Sequence, residues 1–150
     1  MQPSNASTDL SIQIKALARP QDIRGLSITG LHVVMAIRLC AVFERAGRDP
    51  VPDLASRYRS VEAACAVDGL VRTVKHSWPE PFMVNRPCCL TMTGDEATLA
   101  QITRAATAAD RAAFARAIEG FVESARHEAL FCAAIHAAAL LQAGRNPNGT

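Results

Sequence analysis

Two adjacent thiols, Cys88 and Cys89, stand just ahead of a helix start in the stretch NRPCCLTMTGDEATL, and they are the first place to look for chemistry. A cysteine attacks or ligates as its thiolate, which nearby positive charge or an open helix N-terminus favours. Arg86 is close in sequence, and so is the helix opening at Thr93. That opening, however, already carries Thr93, Asp95 and Glu96, which satisfy its amides and offset its dipole, so they compete with activation of the thiols. Structural zinc is a poor fit, because CC is not C-x-x-C and no second pair follows.

A second pair of chemically capable residues lies near the C-terminus. Cys132 and His136 are one helical turn apart and share a face, so they suit a metal that finds a third ligand in Cys88, Cys89 or His32. Their setting, LFCAAIHAAALL, equally suits a small thiol and a hydrogen-bonded imidazole inside a core. His32 shares its helix with Arg38 and Cys40 at separations that converge only loosely, and a hydrogen-bonded buried histidine accounts for it. The chain has no G-x-S-x-G elbow, no glycine-rich phosphate loop and no H-E-x-x-H. An enzyme is therefore not expected and no cofactor is predicted. The alternative is a small thiol- or metal-dependent sensor or enzyme using Cys88 and Cys89 with Cys132 and His136.

The elements that must position these residues read as helices. Residues 27–46 place Leu31, Val34, Met35, Ile37, Leu39, Val42 and Phe43 round a helix rather than along one stripe, which predicts a buried helix ended at Gly47. Asp49-Pro50-Val51-Pro52 makes a stiff connection, and Asp53 opens a second helix that runs to about Val74, with Gly69 weakening its middle. Three prolines at 79, 81 and 87 exclude helix and predict an irregular loop over 77–92, with Trp78 and Phe82 closing the core. Thr93 and Glu96 then form a capping box, in which each side chain reaches the other's amide, and start a third helix to about Ala108.

After Asp110 comes another stripe of Phe114, Ile118, Phe121, Val122 and Ala125. Unbroken from 110 to 142, such a helix would extend roughly 50 Å at about 1.5 Å per residue, against a radius of gyration near ~15 Å for a domain of this size. A break between positions 120 and 126 is therefore expected, with a last helix from about Glu128. Strand-like alternation is weak everywhere, LSIQIKAL at 10–17 coming nearest. The predicted fold is all-α, a compact bundle of four to six helices in a single domain spanning 1–150, with tails at 1–9 and 144–150.

With 49% hydrophobic and 20% charged residues, the 150-residue chain has the composition of one globular domain. A net charge of +2 without a dense basic run argues against a nucleic-acid partner. The longest apolar runs, GLHVVMAI and LFCAAIHAAALL, fall short of the ~20 residues that span a bilayer. The polar opening MQPSNASTD lacks the features of a secretion signal, and five scattered cysteines suit free thiols, so the cytosol is the expected compartment.

Pro87, Cys88, Cys89, Met92, Thr93, Asp95, Glu96 and Ala97, followed by an alanine-rich helical remainder, resemble a family of small alphaproteobacterial proteins of unknown function. The resemblance covers about residues 84–140 and implies a bacterial helical protein. From the residues themselves, the leading expectation is a non-enzymatic domain that self-associates or binds another protein. The helices at both ends carry more apolar surface than one small chain is expected to cover, and a homodimer would share the last helix through Phe131, Ala134, Ile135 and Ala138. Nothing in the sequence indicates a small-molecule ligand.

Overall fold

The computed structural model describes residues 21–146. It has six helices and, among the described residues, no strand: α1 Ile28–Arg45, α2 Val51–Tyr58, α3 Val61–Ser77, α4 Gly94–Thr107, α5 Arg111–Ile118 and α6 Ser124–Arg145, with a single 3-10 turn at Ile23–Gly25 before α1. The all-α bundle expected from periodicity is what the chain builds. The expected tail at 1–9 and the strand-like stretch at 10–17 lie outside the described residues.

The four long helices form a ring in which α1 packs on α3 and α4, and α6 packs on the same two helices from the other side. Short α2 folds back on α3, and short α5 folds back on α4. The main core lies inside the ring, built from residues such as Ile37, Leu54, Leu70, Leu99, Ile102, Phe114, Ile118 and Leu130, each no more than 2% exposed. A smaller cluster of Ile23, Val34, Met92 and Ala100 ties the 3-10 turn and the end of the 78–93 loop to α1 and α4.

Local chemistry sets most helix ends. Ser27 caps α1 by accepting the Gly30 amide, and Asp110 caps α5 by accepting the Ala113 amide. The capping box at Thr93 and Glu96 is present with both of its hydrogen bonds. Trp78 and Phe82 close the core as the loop reading expected: Trp78 is 8% exposed, and its ring packs 5.2 Å from Phe82 and 5.3 Å from Phe121.

Four expectations need correction. The helix assigned to 53–74 is two helices. The chain turns at Arg59, whose φ of 54° is left-handed, and restarts at Ser60, whose hydroxyl accepts the Ala63 amide. That helix begins earlier than Asp53 because Pro52 sits in the first turn, where its missing N–H costs nothing. α3 itself runs through Gly69 without interruption. The break after Ile118 falls where it was placed, with Gly120 at φ 87°, but α6 starts at Ser124 rather than at about Glu128. Finally, α6 continues through Gly144 and Arg145, part of the stretch read as a tail, and the Arg145 guanidinium donates to the Thr29 hydroxyl at 2.9 Å.

The apolar surface of α6 is also less abundant than its composition suggests. Leu130, Phe131, Ala134, Ala137, Ala138 and Leu141 face the core, whereas Cys132 and His136 are exposed. Of the residues assigned to a dimer contact, Phe131, Ala134 and Ala138 are at most 4% exposed and Ile135 packs against the core, so this chain covers that face itself.

Candidate functional site

The organising residue of the loop is Arg38, a charged side chain in the middle of α1 that is 1% exposed. A buried guanidinium is tolerated only where its donors are satisfied and its charge is matched. Here Nε donates to Glu96 Oε1 at 2.8 Å and Nη2 donates to Glu96 Oε2 at 2.9 Å. The remaining donors reach the backbone carbonyls of Arg86 at 3.2 Å, Cys89 at 2.6 Å and Thr91 at 2.9 Å. All five N–H groups of the fork are used.

Glu96 completes the arrangement from the other side. As well as Arg38, its carboxylate accepts the amide of Asn85 at 2.8 Å and the amide of Thr93 at 3.0 Å. Burial alone would raise the carboxyl above its ordinary value, but these charged and backbone donors outweigh that and hold it below. Neighbouring Asp95 accepts the indole N–H of Trp78 at 3.1 Å and the amide of Met83 at 2.8 Å, while the Thr93 hydroxyl donates to the Met83 carbonyl at 2.7 Å. The first turn of α4 thus holds both ends of an irregular segment that has no regular hydrogen bonding of its own.

The loop consequently runs along α1. At its far end the Met92 amide donates to the Gln21 carbonyl at 2.8 Å and the Ile23 amide to the Leu90 carbonyl at 2.8 Å, an isolated antiparallel bridge. At its near end Val84, Asn85, Arg86 and Pro87 face Ala41, Val42 and Arg45 across a cleft of about 320 Å³, floored by Arg38. Arg45 and Arg86 are exposed, and no carboxylate among the described residues lies within 4.0 Å of either guanidinium. Met83 and Leu90 of the loop and Val42 of α1 are 63%, 46% and 44% exposed.

The four residues named for thiol or metal chemistry fall into two separate settings. Cys88 is exposed and Cys89 half-buried in the turn closed by the Cys89 amide donating to the Arg86 carbonyl at 3.0 Å. The Cys89 Sγ lies 3.3 Å from the Thr91 hydroxyl, and hydrogen bonds from the Thr91 side chain and backbone hold the thiol below its ordinary value. Cys132 donates to Glu128 at 3.6 Å on the outside of α6, where Glu128 also pairs with Arg111 at 2.6 Å. Among the described residues no group of three His, Cys, Asp or Glu side chains is placed to hold a metal ion, so Cys88, Cys89, Cys132 and His136 do not converge on one centre.

His32, the other candidate ligand, is half-buried edge-on to Tyr58 at 5.3 Å, and burial, with Arg145 nearby, lowers its proton affinity. Arg38, which holds the loop, is the residue that sequence reasoning passed over. Its one signal was a lone charge inside the apolar run VVMAIRLC, which demands a buried counter-ion somewhere else in the chain. No helix among the described residues is long and apolar enough to cross a membrane. No family model matches the chain, and no curated protein or solved structure was found to be significantly similar to it.

Proposed function

We propose that the chain is a non-enzymatic protein-interaction domain that receives an acidic, partly apolar segment of another protein in the cleft between α1 and the 78–93 loop. The observation that carries this reading is the pairing of apolar walls, Ala41, Val42, Val84 and Pro87, with two exposed cations, Arg45 and Arg86, that have no carboxylate partner among the described residues. Arg38 and Glu96 fix the loop before any partner arrives, so docking loses little conformational freedom. A partner's carboxylates would meet the two guanidinium groups while its aliphatic side chains fill the cleft.

The cytosol is the proposed setting, in keeping with five free cysteines, and a bacterial origin rests on the resemblance over residues 87–97. Self-association through α6 has lost its original motive, since Phe131, Ala134 and Ala138 are already covered within one chain.

Fluorescence anisotropy with a labelled peptide of alternating glutamate and leucine tests the reading. Binding that weakens with added salt, falls at least about tenfold in the Arg45→Glu/Arg86→Glu variant and is absent for the matching lysine–leucine peptide is expected. Equal binding of both peptides, no binding, or indifference to the double substitution would overturn it. A dimer in sedimentation that the double variant dissociates would replace the acidic peptide by a second copy of the chain.

A further inference from the structure

A second concavity, of about 180 Å³, opens toward the other end of α1 from the cleft, and its lining is basic. His32 of α1, Arg57 and Arg59 at the end of α2, and Arg145 in the last turn of α6 meet there, and among the described residues no acidic side chain lines it. Two of the guanidinium groups are held by the fold. Arg145 donates from Nη2 to the hydroxyl of buried Thr29 at 2.9 Å, and Arg57 donates to Asp53 at 2.7 Å. Arg59 is placed by its backbone, whose φ of 54° is a left-handed conformation that glycine adopts at no steric cost and arginine does not. The His32 ring, half-buried and edge-on to Tyr58 at 5.3 Å, makes no hydrogen bond among the described residues.

Charge and size define what fits. Asp53 matches Arg57, whereas no carboxylate among the described residues lies within 4.0 Å of the guanidinium of Arg59 or Arg145. The unmatched charge is that of two cations, which calls for a dianion. Guanidinium forks reaching in from separate elements suit a group with several equivalent oxygens, as in arginine pairs with phosphate. The volume lies below the roughly 300–1,000 Å³ of sites for drug-sized ligands, so the concavity suits a small anion with at most a short stem along Leu140 and Leu141. We propose that it binds a dianionic phosphoryl group, carried by inorganic phosphate or by a small phosphate monoester, between Arg59 and Arg145, with Arg57 and the His32 ring completing the contacts. The site shares no residue with the cleft that Arg45 and Arg86 line, and it stands without that reading.

Isothermal titration of the full-length protein at low salt, with inorganic phosphate, glycerol 3-phosphate and acetate in turn, tests the site. A single saturable site for a phosphate species, at least about tenfold tighter than for acetate, is expected. The tighter of the two phosphate species tells whether the free ion or the ester is the ligand. Arg59→Gly and Arg145→Gln should each weaken binding at least about tenfold. Because glycine relieves the left-handed backbone, Arg59→Gly should lose binding without a fall in melting temperature, which separates loss of the ligand from loss of the fold. The His32 ring resonances should shift during the titration, and Arg116→Gln, on α5 outside the concavity, should bind as the parent does. No saturable binding, acetate binding as tight as phosphate, parental affinity in either Arg59→Gly or Arg145→Gln, or an equal loss in Arg116→Gln would overturn the proposal.

Discussion

Arg38 and Glu96, 58 positions apart, meet as a two-pronged ion pair, Nε to Oε1 at 2.8 Å and Nη2 to Oε2 at 2.9 Å, with neither side chain exposed. The pair joins α1 to the first turn of α4, and each partner also holds backbone of the intervening loop. Removing one partner leaves a buried charge and several orphaned polar groups. Arg38→Met should therefore lower stability by about 3–5 kcal/mol in urea unfolding, and amide exchange should accelerate first over residues 85–92.

Acid should attack the same point. The carboxyl of Glu96 is held below its ordinary value in the folded chain, so the unfolded chain binds its proton more readily. The stabilisation is complete above the unfolded value of about 4.3 and is lost as pH falls through the lower folded value. Thermal melts from pH 7 down to pH 2 should show a fall in stability below about pH 4. In Glu96→Gln that component should vanish, from a lower starting stability at neutral pH.

Thr93 has two roles at the start of α4, accepting the Glu96 amide at 3.0 Å and donating to the Met83 carbonyl at 2.7 Å. Loss of a cap typically costs about 1 kcal/mol and reaches about 2 in demanding sites. Thr93→Ala should sit toward the upper figure because it also frees the loop, and Thr93→Ser should keep most of the stability. A melting point unchanged by Thr93→Ala would mean that the cap contributes nothing.

Backbone strain offers a stabilising change. Ala109 adopts φ 52° in the turn between α4 and α5, where a Cβ is unfavourable and no side-chain interaction compensates. Glycine removes strain of about 1–2 kcal/mol, while its greater freedom in the unfolded chain takes back about 0.4–1 kcal/mol. Ala109→Gly should thus raise stability by about 0.5 kcal/mol, a shift of a degree or two in melting temperature.

The success and failure of sequence reasoning divide by the range of the interaction. The capping box was legible because Thr93 and Glu96 satisfy each other's amides within one turn. The break after Ile118 was legible because an unbroken helix would outgrow a compact domain, and Gly120 supplies the positive φ. The break at Arg59 was hidden, since no glycine marks the left-handed residue and the apolar spacing continues across it; packing of α2 back onto α3 imposes the turn. The surplus of apolar surface on α6 was misjudged because alanines spread round a helix do not reveal which of them the neighbouring helices cover.

The sequence by itself determined the helical class, the caps at Ser27, Thr93 and Asp110, and the prolines that keep the loop out of any helix, because each depends on groups within a few residues of one another. The tertiary structure alone decided that Arg38 would find Glu96, that Cys89 would lie against Thr91 beside that cation, and that Cys132 and His136 would face away from the core. Those outcomes depend on which helix faces meet in the ring. A buried charge states that it needs a partner, but only the packing of α1 against α4 brings the partner within reach.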